Sequence, residues 1–160
     1  MGAAAKALEL WKPLIGKEDG VGEWFQVDQA RIDAFADATL DHQFIHIDPE
    51  KSAKLSPYKV TIAHGFLTLS LVPYLSGKIP PAEPKAYQGL TLAVNYGLEK
   101  VRFPNPVKVD SKVRARRTLS SVDQKAPNTL QLTQVVTIEI DGEGKPGCVA
   151  ETLTRLIYAD

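Results

Sequence analysis

Cysteine is nearly missing from this chain of 160 residues: Cys148 is the only one. No disulfide can close within the chain, which excludes the disulfide-stapled class of small folds and fits a reducing compartment. A thiol without a partner is more often packed or idle than catalytic. Net charge is missing too, with 19 basic residues against 19 acidic ones. Nucleic-acid binding needs a surplus of basic side chains on one face, so no nucleic acid is expected as a partner. Long apolar runs are also lacking. The longest candidate, Phe66 to Leu75, is about half of the ~20 residues that span a bilayer and contains Pro73, so no membrane segment is expected. The start, MGAAAKALELWKPLIG, has no apolar centre of the signal-peptide kind. Together these absences lead to the expectation of a cytoplasmic protein with one domain over residues 1–160, free of repeats and linkers.

What is present falls into a readable pattern. Residues 1–19 form an N-terminal extension or hold a short helix, with Ala and Leu concentrated over 3–10. Val21 to Val27 reads as a strand leading to a helix capped by Asp28, whose Ile32, Phe35, Ala36, Thr39 and Leu40 define one buried face. That helix is expected to stop near Asp41. The segment 41–61, broken by Pro49 and Pro57, reads as loop with one helical turn at most. From His64 or Gly65 to Ser76 the chain is apolar nearly all round a helix, so protein should enclose it, with a kink or a last turn at Pro73. Lys78 to Pro84 is a proline-rich surface loop. After Tyr87 the pattern is β: a long run from Thr91 to Phe103 with a bulge or bend at Gly97, alternation over 107–116 and 130–140, and a last strand from Cys148 to Tyr158. Long strands joined by short turns give an antiparallel sheet. The expected fold class is α+β, a long antiparallel sheet wrapped around a central apolar helix, the hot-dog arrangement. Its free edge points to a dimer.

All three histidines lie close together in sequence, in Asp41-His42-Gln43-Phe44-Ile45-His46-Ile47-Asp48 and Ala63-His64-Gly65. Asp41 and His46 follow a helix end, where a carboxylate and an imidazole can share one water: one group takes a proton as the water attacks, the other holds or returns one. His64-Gly65 opens the apolar helix. The first amides of a helix lack internal partners and carry the positive end of its dipole, so they suit a carbonyl oxygen that becomes an enolate. Gly65 has no side chain to block that approach. These parts describe a hydratase acting on an α,β-unsaturated carbonyl. Blander readings exist: His42 as a surface residue, Asp48 as a cap before Pro49, His64 as packing, and Ser70 as a buried hydroxyl bonded to backbone. His42, His46 and His64 offer three imidazoles for zinc, but loop spacing fixes no geometry, and neither metal nor cofactor is expected. Lys108, Lys112, Arg114, Arg116 and Arg117 suit a small anion or, more simply, the wet face of a strand.

The stretch Phe35 to Pro49, followed by Thr61-Ile62-Ala63-His64-Gly65-Phe66-Leu67-Thr68-Leu69-Ser70, resembles the MaoC-like dehydratase family, which contains the (R)-specific enoyl-CoA hydratases. Val94-Asn95-Tyr96-Gly97 and Val101 to Val107 are similar to the nodulation-protein-N-like branch. The resemblance implies a hot-dog homodimer that binds an enoyl-CoA thioester near the subunit interface. It assigns the water to Asp41 and His46 and the thioester carbonyl to the Gly65 amide. It also places His64, Ser70 and Asn95 on the substrate side, and it leaves Arg102 either structural, the favoured reading, or near the CoA phosphates. Gln43-Phe44 replaces the Asn-Pro common between the acid and the histidine, and 51–61 departs from the family's Gly-rich stretch. The expected activity is that of a lyase, an (R)-specific enoyl-CoA hydratase of fatty acid metabolism. The rivals are a hot-dog acyl-CoA thioesterase and a non-catalytic acyl-thioester binding dimer.

Overall fold

The computed structural model describes residues 1–159. The chain runs through α1 (Ala3–Trp11), β1 (Glu18–Val21), β2 (Phe25–Gln26), α2 (Gln29–Thr39), α3 (Phe44–Ile47), α4 (Pro49–Leu55), α5 (Gly65–Ser70) and α6 (Val72–Ser76). It ends with β3 (Leu90–Arg102), β4 (Lys112–Ala126), β5 (Thr129–Ile140) and β6 (Cys148–Tyr158). The strands form one antiparallel sheet in the order β1-β4-β5-β6-β3, with β2 also paired to β4. This is the hot-dog sheet. α5 and α6 lie on one face of it, where Leu67, Leu71, Val72 and Leu75 join Val113, Ala115, Val136, Ile138, Cys148 and Ala150 in one core. A second core forms where α1 packs Ala4, Ala7 and Trp11 against Leu119, Leu130, Leu156 and Tyr158. α1 buries Ala4, Ala7 and Trp11 in this core, so it packs as a structural element on the sheet.

Several expectations need correction. The strand over 21–27 is two short strands, interrupted where the Gly22 amide turns to the Ala115 carbonyl at 2.8 Å. In α2 the Asp28 side chain accepts from the Arg31 amide as a cap should, and Ile32 and Ala36 are buried. Leu40 is not on the buried face: it ends the helix at φ 64° and is 80% exposed. Segment 41–61 is mostly helical, because Asp48 caps α4 through the Lys51 amide and Pro49 takes the first helical position, where a missing N–H costs nothing. The apolar helix is broken in two at Leu71, just before Pro73. Nor is it enclosed all round: Phe66 is 69% exposed and Tyr74 48%. The sheet covers one side of it and the single chain leaves the other open.

β4 begins only at Lys112. The alternating residues Val107 and Val109 are used otherwise, taking backbone bonds with 61–63: Ala63 N donates to Val107 O at 2.7 Å and Val109 N to Thr61 O at 2.9 Å. The extra residue expected near Gly97 is Tyr96, where the β3–β6 register shifts between Asn95 and Gly97. The three arginines of the basic cluster are neutralised within the fold. Glu139 accepts from Arg114 and Arg116, Glu18 accepts from Arg116, and Asp19 accepts from Arg117 at 2.7 Å.

Candidate active site

The site is built on the short segment 61–64, which is clamped from both sides. Val107 and Val109 pair with it on one side, and the Ile62 amide donates to the Ile45 carbonyl at 2.9 Å on the other. This clamp fixes where the Ile62 carbonyl points. His46, the third residue of α3, is buried and donates from Nδ1 to that carbonyl at 2.7 Å. In the neutral ring the proton therefore sits on Nδ1 and leaves Nε2 as an acceptor. Burial is the largest cause holding the His46 pKa below its ordinary 6.5. His64 pushes the same way, while the Ile62 bond and Asp41 push back. His46 is thus kept as a neutral base.

Asp41 and His64 come to the same place. His64 is 2% exposed and donates from Nε2 to the Asp41 backbone carbonyl at 2.9 Å, with an Asp41 carboxylate oxygen 4.0 Å away. Its ring stacks on His46 with centroids 3.7 Å apart and planes 23° apart, and Phe35 packs on it at 5.0 Å. One nitrogen of each imidazole and one Asp41 oxygen lie within 4.8 Å of one another. Two hydrogen bonds of about 2.8 Å meeting at a water's tetrahedral angle span about 4.6 Å, so the spacing suits one water held between Asp41 and His46. It suits a metal less well. Ligating imidazoles aim in-plane lone pairs at a point about 2.0–2.1 Å from each nitrogen, and nearly parallel stacked rings do not converge that way. His42 lies outside the group, with its Nε2 2.9 Å from Asp37.

Gly65 is the first residue of α5, and no side chain caps the helix start. A Cβ at Gly65 would sit 2.9 Å from the Phe103 ring. The missing side chain thus lets Phe103 lie over the backbone here, a use that nothing near Gly65 in sequence announced. Ser70 is exposed and donates to the Phe66 carbonyl at 2.7 Å. With Asn95 it lines a groove of about 390 Å³ along β3, a groove that includes neither Asp41 nor His46. The structure therefore brings Asp41, His46, His64 and Gly65 together at one place, and Ser70 with Asn95 at another. Arg102 is exposed and bonds only its neighbour's carbonyl, Val101 O, at 2.7 Å.

One contributor was missed in the sequence. Gln29 donates to the His46 carbonyl at 2.7 Å and to Asp33 at 2.8 Å, and it accepts from the Thr61 hydroxyl. It ties α2 to both the helix that carries His46 and the segment that holds it. Its place beside the Asp28 cap gave no hint of this, because its partners are 17 and 32 residues away.

Residues 12–140 match the family model described as the MaoC like domain. The chain belongs to the MaoC-like dehydratase family, and so to the dehydratases and hydratases of the hydro-lyase class. Among its relatives, 3-hydroxyacyl-thioester dehydratase Z of Mycobacterium tuberculosis (strain H37Rv) is 45% identical over 142 residues, covering 89% of this chain and 90% of that protein. Nodulation protein N of Rhizobium leguminosarum bv. viciae is 49% identical over 144 residues, covering 90% and 87%. The fold is also that of the (R)-hydratase from A. caviae involved in PHA biosynthesis. That structure has a TM-score of 0.62 at 24% identity, with 84% of this chain and 95% of that one covered.

Proposed function

We propose that the protein is an (R)-specific enoyl-CoA hydratase, which reversibly hydrates a trans-2-enoyl-CoA to the (3R)-3-hydroxyacyl-CoA. The observation that carries this reading is the tautomer of His46. With Nδ1 committed to Ile62, Nε2 is the ring nitrogen left to accept, and a ring nitrogen of His46 lies within 4.8 Å of an Asp41 carboxylate oxygen. A water held there donates one proton to His46 Nε2 as its oxygen bonds to C3, while Asp41 accepts the water's other hydrogen. The proton then passes from His46 to C2, so OH and H add to the same face of the double bond. The Gly65 amide donates to the thioester oxygen while it carries enolate charge, a contribution worth about 3–4 kcal/mol for one well-placed donor. His64 is a positioning residue: it holds the Asp41 backbone and braces the His46 ring. Membership in the family and the names of the relatives support an acyl-thioester substrate.

The active form is a homodimer. β3 is an edge strand of 13 residues, and it exposes Leu92, Val94, Tyr96 and Leu98 beside an exposed Phe66. A long apolar edge of this kind is covered in stable proteins, and a second copy pairing β3 with β3 both covers it and shelters the open side of α5. The test follows loss of enoyl absorbance over a series of trans-2-enoyl-CoA lengths, with chiral analysis of the product. Stereospecific (3R) product supports the reading. Release of free CoA thiol without hydration replaces it with a thioesterase, and tight binding without turnover replaces it with a binding module.

A further inference from the structure

Gln29 stands outside the pair assigned to the chemistry, yet its amide reaches both the helix that carries His46 and the segment that holds its ring. A side-chain amide has two N–H donors and one acceptor oxygen. Nε2 donates to the His46 carbonyl at 2.7 Å and to Asp33 Oδ1 at 2.8 Å, and the oxygen accepts from the Thr61 hydroxyl. These partners fix which way the amide faces. Turned over, it would set its oxygen against a carbonyl and a carboxylate at once. Asp33, four residues further along α2, thus orients Gln29.

The base of the side chain is held as well. Val27 N donates to Ser111 O at 2.9 Å, and Asp110 N donates to Val27 O at 2.8 Å. The residue before Asp110 is Val109, whose amide bonds Thr61 O. Gln29 and Thr61 therefore stand on one hydrogen-bonded frame. Facing that frame is α3, a helix of four residues. So short a helix is not stable by itself, and its last carbonyls have no partner within it. Gln29 supplies a partner for that of His46. Without it, the backbone of α3 and the His46 ring bond the segment 61–63 only through Ile62, at 2.9 Å from Ile62 N to Ile45 O and 2.7 Å from His46 Nδ1 to Ile62 O. Two bonds to one residue leave α3 free to swing about it. Gln29 grips the next residue on each chain, His46 and Thr61, and so blocks that swing.

We propose that Gln29 is a positioning residue: it holds α3 against the segment 61–63 so that His46 keeps its proton on Nδ1 and leaves Nε2 as the base, with Asp33 setting the direction of the Gln29 amide. The effect on rate rests on the hydratase reading above, whereas the effect on the tautomer does not. The test uses Gln29→Met, which keeps the length and removes the bonds to His46, Asp33 and Thr61. A second variant adds Thr61→Val, which removes the hydroxyl that Gln29→Met leaves buried and unpaired. Ring ¹⁵N shifts of His46 are read at about pH 8, where an ordinary imidazole is neutral, and are assigned by comparison with His46→Gln. The wild type should show the Nδ1–H tautomer alone, and both variants should show the Nε2–H tautomer mixed with it. In both, kcat for crotonyl-CoA should fall by about 10–100-fold with KM within about threefold, as for a misplaced base beside an intact substrate site. The melting temperature should behave differently, falling in Gln29→Met and recovering most of that loss in the double variant. A tautomer mixture already present in the wild type, unchanged His46 shifts in the variants, or kcat that returns with stability in the double variant overturns the proposal. If Gln29→Met does not fold, the double variant decides by the same readings. If the wild type hydrates no enoyl-CoA, the hydratase reading fails by itself. The tautomers then decide for Gln29: a mixture in the variants upholds its role, and Nδ1–H alone sinks it.

Discussion

Replacing Gly65 with Ala separates two uses of the same glycine. The new Cβ would stand 2.9 Å from Phe103 Cδ2, 3.0 Å from Cγ and 3.1 Å from Cε2. Overpacking of this kind costs about 1–3 kcal/mol, while the alanine gains about 0.4–1 kcal/mol by restricting the unfolded chain. The net loss is about 1–2 kcal/mol, and at about 2–4 °C per kcal/mol for a chain of this size the melting temperature falls by about 2–8 °C. All three crowded atoms belong to one ring. In a Phe103→Ala background the stability penalty should therefore vanish, giving a coupling of about 1–2 kcal/mol in a double-mutant cycle. Activity should behave differently. If the Gly65 amide receives the thioester oxygen, the methyl still crowds it, and kcat/KM for crotonyl-CoA stays at least about tenfold down in the double variant, part of the 10²–10³ that losing such a donor costs. The cycle needs calorimetry and steady-state hydration rates on four proteins. Recovery of activity together with stability would show that Gly65 serves only to seat Phe103.

Three further expectations follow from other parts of the fold. His46 has a pKa below its ordinary 6.5, chiefly through burial, so the acid limb of a pH profile of kcat/KM should lie below 6.5. Stability carries the same sign: between the folded and unfolded values the unfolded chain binds the extra proton, so this contribution is complete above 6.5 and is lost as pH falls towards the folded value. An acid limb above 6.5 contradicts the geometry of His46. Arg117→Met should be strongly destabilising, by about 3–5 kcal/mol, because it strands the buried Asp19 carboxylate; a thermal scan that moves less than about 3 °C refutes this. Leu92→Asp with Tyr96→Asp should turn the proposed dimer into a monomer in sedimentation or light scattering, since both side chains stand exposed on the β3 edge.

Local signals carried much of this fold. Asp28 announced its cap, the alternation over 130–140 announced β5, and the apolar run after His64 announced the packing against the sheet. The Asp41/His46 spacing was visible as well. What periodicity hid was long-range. Nothing local to Ile62 marks its carbonyl as the anchor for His46, which lies 16 residues earlier. Val107 and Val109 read as strand because alternation cannot tell a sheet from a two-residue clamp on a distant loop. Leu40 fits the helical period of α2, yet the chain turns there through a left-handed residue before Asp41, and period alone does not show where a helix ends. Ser70 at the end of α5 and Asn95 in β3 line one groove, a meeting that no local pattern announces because they are far apart in the chain.

The proposal that Asp41 and His46 share one water is tested most directly by Asp41→Asn and His46→Gln, each kept near its native shape. The Asp41 side chain is 53% exposed, so Asp41→Asn should leave the melting temperature almost unchanged. Hydration of crotonyl-CoA should fall by about 10²–10⁴ in each variant, the range for loss of a positioned acid or base. The double variant should be little worse than either single one, because both act on one water. Near-normal turnover in either folded variant contradicts the proposed chemistry.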